Sequence, residues 1–152
     1  GSDVGLTLIK SSVHPDARAD EGIHRFVYSV LPHACAFSVK SVVRPAYELN
    51  VAPLVSEVSN NAKPFGSLLE VDADNVIIES VKWAEEGKAF VVRLYEAGKS
   101  GTQCALTVNT PVKSVRETNL LEEKGRKSQV KDSQADFYLK PFEIKTLVFE
   151  VQ

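Results

Sequence analysis

This sequence predicts a mainly β chain, an antiparallel β-sandwich with one short helix near residues 37–49. Three observations lead there. Short segments rich in β-branched and aromatic residues, such as VIIESVKW and AFVVRLYE, recur along the chain. Turn-forming runs separate them: KPFG, DADN, AEEGK, AGKSG and NTP. Only one segment breaks the two-residue period for a helical one. Closely spaced strands with turn punctuation and little helix describe a sandwich.

Taken in order, Gly5–Lys10 (GLTLIK) alternates around Leu6, Leu8 and Ile9 and is predicted as a strand. A polar loop follows, SSVHPDARADEG, punctuated by Pro15 and Gly22. Ile23–Leu31 (IHRFVYSVL) is the next predicted strand. One face carries His24, Phe26, Tyr28 and Val30, and the other Ile23, Arg25, Val27, Ser29 and Leu31. Pro32 ends it. Val39, Val42, Val43, Ala46, Tyr47 and Leu49 then follow an i, i+3, i+4, i+7 rhythm. A helix is expected from about Phe37 to Leu49, kinked or broken at Pro45 and ended by Asn50. The remaining predicted strands are Leu54–Ser59, Ser67–Val71, Val76–Trp83, Ala89–Glu96, Cys104–Asn109, Val112–Glu117, Phe137–Leu139 and Glu143–Val151. The charged run Glu122–Ser133 (EEKGRKSQVKDS) reads as a long surface hairpin or loop.

The bulk composition excludes more than it selects. A chain of 152 residues is long enough for a real core. Its 43% hydrophobic and 25% charged residues are ordinary for a globular domain. With 18 basic and 20 acidic residues the net charge is −2, so charge gives no reason to expect nucleic-acid or membrane partners. The apolar runs are strand-sized, well short of the ~20 residues of a membrane helix, and no signal peptide is visible. Cys35 and Cys104 form no CxxC motif and read as buried free thiols of a cytoplasmic protein, with a single disulfide as the alternative. The chain has no methionine and opens on Gly1-Ser2, which reads as the remnant of a cleaved tag. Residues 3–152 are therefore expected to be a single β-sandwich domain excised from a longer protein.

Candidate chemistry concentrates near the N-terminus. All three histidines lie between His14 and His33, with Asp16, Asp20 and Glu21 among them. Four-residue spacings join Asp16 to Asp20 and Asp20 to His24, but Pro15 and Gly22 argue against the helix that would give those spacings a common face. His14, Asp16, Asp20 and His24 offer loop ligands for a metal; the plainer reading is a solvated turn with Asp side chains capping backbone N–H groups. There is no GxSxG, P-loop or HExxH motif. Glu85-Glu86 reads as a solvated hairpin tip, and the basic run Lys124–Lys127 as a solvated loop. Trp83 offers either a sugar-stacking platform or, more commonly, packing at the sandwich edge.

The run ADEGIHRFVYSVLPH resembles the D-x-G-x-H-x-F-x-Y-x-L-x-PH pattern of the C-terminal β-domain of α-mannosidases in glycoside hydrolase family 38. The likeness continues in order through RPAYELNVAPL, NVIIESVKWAEEGKAFVVRLYEAGKSG, TNLLE and PFEIKTLVFEV, from Leu6 to Val151. It is nearer to the bacterial-type members. The resemblance implies a retaining hydrolase of terminal α-linked mannose, with a carboxylate nucleophile and a second carboxyl as acid/base. It also implies zinc or another divalent metal. Nucleophile and metal ligands would lie in an N-terminal catalytic domain, outside these residues. No catalytic residue, metal ligand or cofactor is therefore assigned here.

On that resemblance the partners are the N-terminal catalytic domain of the same chain and, in the full enzyme, a mannoside. Asp16, Arg18, Asp20 and His24 become candidates for the rim of the sugar pocket or for the domain interface. The sequence departs from the family pattern at Cys35, Pro45 and Trp83. Two other classes stay open: an independent carbohydrate-binding module, using Trp83, Phe65 or Tyr138 as platforms, and a stand-alone metalloenzyme built on the histidine-rich loop. Most of the twelve aromatics are expected to face the core.

Overall fold

The computed structural model describes residues 1, 3–34, 36–57, 66–85, 87–123, 125–128, 130 and 133–152. The chain divides into two compact units, Gly1–Pro32 and His33–Gln152.

Among the described residues, the regular structure lies in the second unit. Its strands are β1 (Leu69–Val71), β2 (Val76–Trp83), β3 (Ala89–Glu96), β4 (Thr102–Val108), β5 (Val112–Thr118), β6 (Arg126–Ser128), β7 (Gln134–Leu139) and β8 (Ile144–Val151). They form a five-stranded sheet in the order β2-β3-β8-β5-β6 and a three-stranded sheet in the order β1-β4-β7. Every pairing is antiparallel. Period-2 alternation sets which side chains meet. Phe90, Val92 and Leu94 of β3 and Leu147 and Phe149 of β8 point to the inner face of the large sheet. They join Leu106 and Val108 of β4 and Phe137 and Leu139 of β7 in one core cluster. Phe90 and Phe149 are cross-strand partners, and their rings stack at 5.1 Å. This common core makes the two sheets a sandwich.

The strands predicted at Val76–Trp83 and Ala89–Glu96 form with those bounds, and the turn between them holds Gly87 at φ 77°, where glycine is favoured. The charged run after β5 supplies β6, which pairs with β5. The large sheet is buried on both faces: Ala89, Val91 and Val148 form a smaller cluster on the side away from the main core. The three-stranded sheet is too narrow to cover the end of edge strand β2. Val81 and Trp83 alternate with Lys82, share the inner-facing side, and are exposed.

Several expectations are corrected. Gly5–Lys10 and Ile23–Leu31 are not strands, and neither is Leu54–Glu57; residues 58 and 59 lie outside the described residues. The alternation is present, but a strand is defined by its partner, and no backbone ladder reaches these segments among the described residues. The helix predicted over Phe37–Leu49 is a π-helical turn, Val39–Val43, running into α1, Arg44–Asn50. Ser38 opens it with a capping box to Ser41. Pro45 falls in the first turn of α1, where the π turn gives way to α-helix, so the interruption expected there is a change of helix type within a continuous run. Trp83 is 72% exposed, not packed at the edge. Among the described aromatics only Phe90, Phe137 and Phe149 are buried, so most do not face the core.

Candidate functional site

In the first unit the sequence-predicted site is a self-contained polar turn. Asp16 Oδ1 accepts from the Arg18 backbone N–H at 2.9 Å, an Asx turn. Backbone bonds from Ala19 N to Asp16 O and from Glu21 N to Arg18 O close the chain above it. The Arg18 guanidinium pairs with Glu21 at 2.9 Å in the open. Gly22, at φ 146°, turns the chain out of the loop. His24 Nε2 donates to the Asp20 carbonyl at 2.8 Å, and the His24 ring stacks on Phe26. Each of the four candidate side chains or its backbone thus serves the loop itself. Asp16, Arg18 and His24 stay solvent-exposed and Asp20 is half-buried.

Zinc, which the family resemblance implies, needs three or more convergent ligands. Among the described residues no group of three His, Cys, Asp or Glu side chains could hold a metal ion. The residues present do not fit the group. Cys104 is a free, buried thiol; burial, reinforced by Asp72 and Asp136, pushes its pKa up to about 11, so it is chemically quiet. Cys35 and Phe65 lie outside the described residues, as does Glu86 of the carboxylate pair.

Among the charged groups of the second unit that the sequence reading did not single out are two constellations about a glutamate and a third in which the buried Lys145 pairs with Glu117 and Glu143. On the outer face of the large sheet, Glu122 Oε1 receives Lys82 Nζ at 2.7 Å and Arg93 Nη2 at 3.1 Å, and Arg93 also donates to the Leu120 carbonyl. These bonds fasten the segment after β5 across the sheet. Glu122 holds φ 65° to make that turn. They border a groove of about 980 Å³ lined by Lys88, Lys113, Arg116 and Glu150 among others. The Nε atoms of Arg93 and Arg116, two residues of its lining, are buried without a hydrogen-bond partner. Alongside, α1 reaches the same sheet through a Tyr47–Tyr95 hydroxyl pair at 3.1 Å. Burial, with that bond in support, pushes the Tyr95 phenol up to about 12.

The other constellation is Glu96, 0% exposed at the end of β3. Burial alone would raise its pKa. Hydrogen bonds outweigh it and hold the carboxyl below the ordinary carboxylate value: Phe142 N–H at 3.0 Å, Asn75 Nδ2 at 2.7 Å, Gly98 N–H at 2.6 Å and the backbone of Ser100. Glu96 is a buried anion that gathers three turns at one end of the sandwich. A signal for it existed: Phe90, Val92, Leu94 and Glu96 share one alternating face, so a carboxylate there had to be buried and satisfied. Arg93, likewise, interrupts an apolar run. The groove beside the first constellation is lined by several carboxylates, of which Glu122 is taken up by Lys82 and Arg93, and Glu150 accepts from the Ser114 hydroxyl. Both glutamate constellations organise structure.

The comparisons with known proteins agree with this architecture. Residues 75–147 match the family described as "Glycosyl hydrolases family 38 C-terminal beta sandwich domain". The match starts just before β2 and ends within β8. "Alpha-mannosidase G" of Dictyostelium discoideum is 33% identical over 156 residues, covering 98% of this chain and 14% of that protein. "Alpha-mannosidase 2C1" of Homo sapiens is 32% identical over 159 residues, covering 100% of this chain and 15% of that protein. "Alpha-mannosidase" of Saccharomyces cerevisiae is 28% identical over 143 residues, 84% of this chain and 13% of that protein. The chain thus spans about one seventh of the length of these relatives. The finer likeness to bacterial-type members rests on the sequence strings alone. With this strand order, the family match from β2 into β8 and the likeness to α-mannosidases, residues 75–147 bear the C-terminal β sandwich domain of glycosyl hydrolase family 38.

Proposed function

We propose that this chain is the non-catalytic C-terminal part of a longer α-mannosidase and that its work is mechanical: to pack on the catalytic part and hold loops at its rim. One observation carries the reading. The described residues build a buried sandwich in which no group of three His, Cys, Asp or Glu side chains could hold a metal ion, while the relatives that share its sequence are α-mannosidases about seven times as long. The zinc of such an enzyme, and the carboxylates that cleave the glycosidic bond, would come from the preceding polypeptide. Within this chain, Glu96 and Glu122 fix the turns and the strap after β5. The loop bearing Asp16, Arg18, Asp20 and His24 remains the candidate for the domain interface or the sugar-pocket rim, because it is polar, largely exposed and held in its turn by its own hydrogen bonds.

The test is hydrolysis of a chromogenic α-mannoside. The full-length protein should cleave it and residues 1–152 alone should not. An inert full-length protein, or turnover by the 152-residue chain, removes the proposal. In the full-length protein Asp20→Ala and His24→Ala should raise KM or lower the unfolding temperature; no change in either quantity removes these residues from the interface. A second reading, a carbohydrate-binding surface, has one observation in its favour: the exposed indole of Trp83. Calorimetry with mannan would show binding lost in Trp83→Ala if that reading held.

A further inference from the structure

The first unit carries strands without a sheet. Ile23–Leu31 has large apolar side chains on both faces, Ile23, Val27 and Leu31 on one and Phe26, Tyr28 and Val30 on the other, and all are exposed. The exposures are extreme for such residues: 93% at Ile23 and 83% at both Val27 and Val30. Gly5–Lys10 repeats the situation with Leu6, Leu8 and Ile9. No backbone ladder engages either segment among the described residues. A sequence apolar on both faces fits a strand covered on both sides, and its free N–H and C=O groups fit a sheet edge better than a smooth apolar groove. The loop between them needs no partner for its shape, since Asp16, Arg18 and His24 tie it locally.

What supplies the sheet follows from the relatives. Their similarity covers 98–100% of this chain in the Dictyostelium and human proteins, so both carry counterparts of residues 1–32. In them those counterparts are embedded in chains of which this stretch is 14–15%. The family match itself begins only at residue 75.

We propose that Gly5–Lys10 and Ile23–Leu31 are strands of a β-sheet whose other members belong to the polypeptide preceding these residues in the full-length α-mannosidase. The two segments, spaced by the preformed loop, add to that sheet by main-chain hydrogen bonding. Their side chains bury on both its faces. The domain is then joined to its neighbour by shared secondary structure as well as surface contact. The inference rests on the reading of the chain as part of a longer α-mannosidase.

Hydrogen exchange tests it on the full-length protein and on residues 1–152. The amides of Ile23–Leu31 should exchange at least about a hundredfold more slowly in the full-length protein. Equal exchange in both overturns the proposal. So does protection in the 152-residue chain that grows with its concentration, which would make a second copy the partner. Val27→Asp gives an independent readout: it should lower the unfolding temperature of the full-length protein and leave that of the 152-residue chain unchanged, and no effect on either overturns the proposal. An α-mannoside assay on the same full-length sample keeps the two ideas apart. Activity with unprotected amides removes the strand assignment alone; protected amides in an inactive protein remove the enzyme reading and leave the shared sheet standing.

Discussion

Ile23–Leu31 and Ala89–Glu96 are both written in the language of strands. IHRFVYSVL and AFVVRLYE share aromatic and β-branched residues, a single arginine and period-2 alternation. Ala89–Glu96 became the centre of a sheet, paired on one side by β2 and on the other by β8, with Val92 and Leu94 at 0% exposure. Ile23–Leu31 stayed outside any sheet with its apolar side chains in water. The pattern specifies what a strand would bury. It does not supply the neighbour that must accept its hydrogen bonds, and for β3 that neighbour lies within a short hairpin and at β8.

The largest effect that would sharpen this contrast is in the core. Phe149→Ala removes a buried ring stacked on Phe90 and should destabilise residues 1–152 by about 3–5 kcal/mol in urea unfolding. Val27→Ala in the same chain should change stability by less than about 0.5 kcal/mol. Comparable losses at both sites would mean that Ile23–Leu31 is already part of a cooperative core, and the contrast would fail.

Next in size is Glu96. Glu96→Ala removes the shared acceptor of the Phe142 and Gly98 N–H groups and the Asn75 amide, and should cost about 2–3 kcal/mol. The sign of its pH dependence follows from its lowered native pKa. The stability it contributes is complete above the unfolded carboxylate pKa and is lost as the pH falls through the native value. Acid unfolding should therefore be steeper in the wild type than in Glu96→Gln. Identical acid limbs would show that Glu96 is not ionised in the fold. Gly98→Ala should act in the same place, because a Cβ there would lie 2.9 Å from the Asn75 Cβ.

What was legible in the sequence divides along the same line. β2 and β3 were readable with their bounds because the glycine-containing tip between them brings complementary strands together over a short loop. β6 was not bounded, because Arg126, Lys127 and Ser128 on a sheet edge look like any solvated loop until β5 pairs with them. The helix was found, yet its first turn is a π turn that the spacing of valines does not encode. The interruption expected at Pro45 coincides with the change from π turn to α-helix. Asp16, Arg18, Asp20 and His24 were found as a cluster, and the structure ties them into one turn. Glu122 was passed over because its partners Lys82 and Arg93 lie far away in sequence and meet only once the strap crosses the sheet.

That strap gives a prediction of intermediate size. Glu122→Ala leaves Arg93 and Lys82 without their shared carboxylate in a half-buried setting, and should cost about 1–2 kcal/mol, less at high salt. Proteolysis within residues 119–123 should accelerate in the variant. An unchanged cleavage rate would mean that the strap is held by something other than this charge pair.

The smallest expected effect bears on the first unit. Arg18 and Glu21 face each other in the open, with side-chain exposures of 78% and 60%. Water competes for both groups and salt screens what remains, so Arg18→Ala should shift the unfolding free energy of residues 1–152 by no more than about 0.5 kcal/mol. In the full-length protein the same substitution should matter more if this loop meets the rest of the polypeptide, because a pair moved out of water leaves an uncompensated charge when one partner is removed. The informative quantity is the difference between the two losses. A loss above about 1 kcal/mol in the short chain would show that the loop is docked within these 152 residues. The first unit would then be as self-sufficient as the sandwich, and the asymmetry between the two regions would disappear.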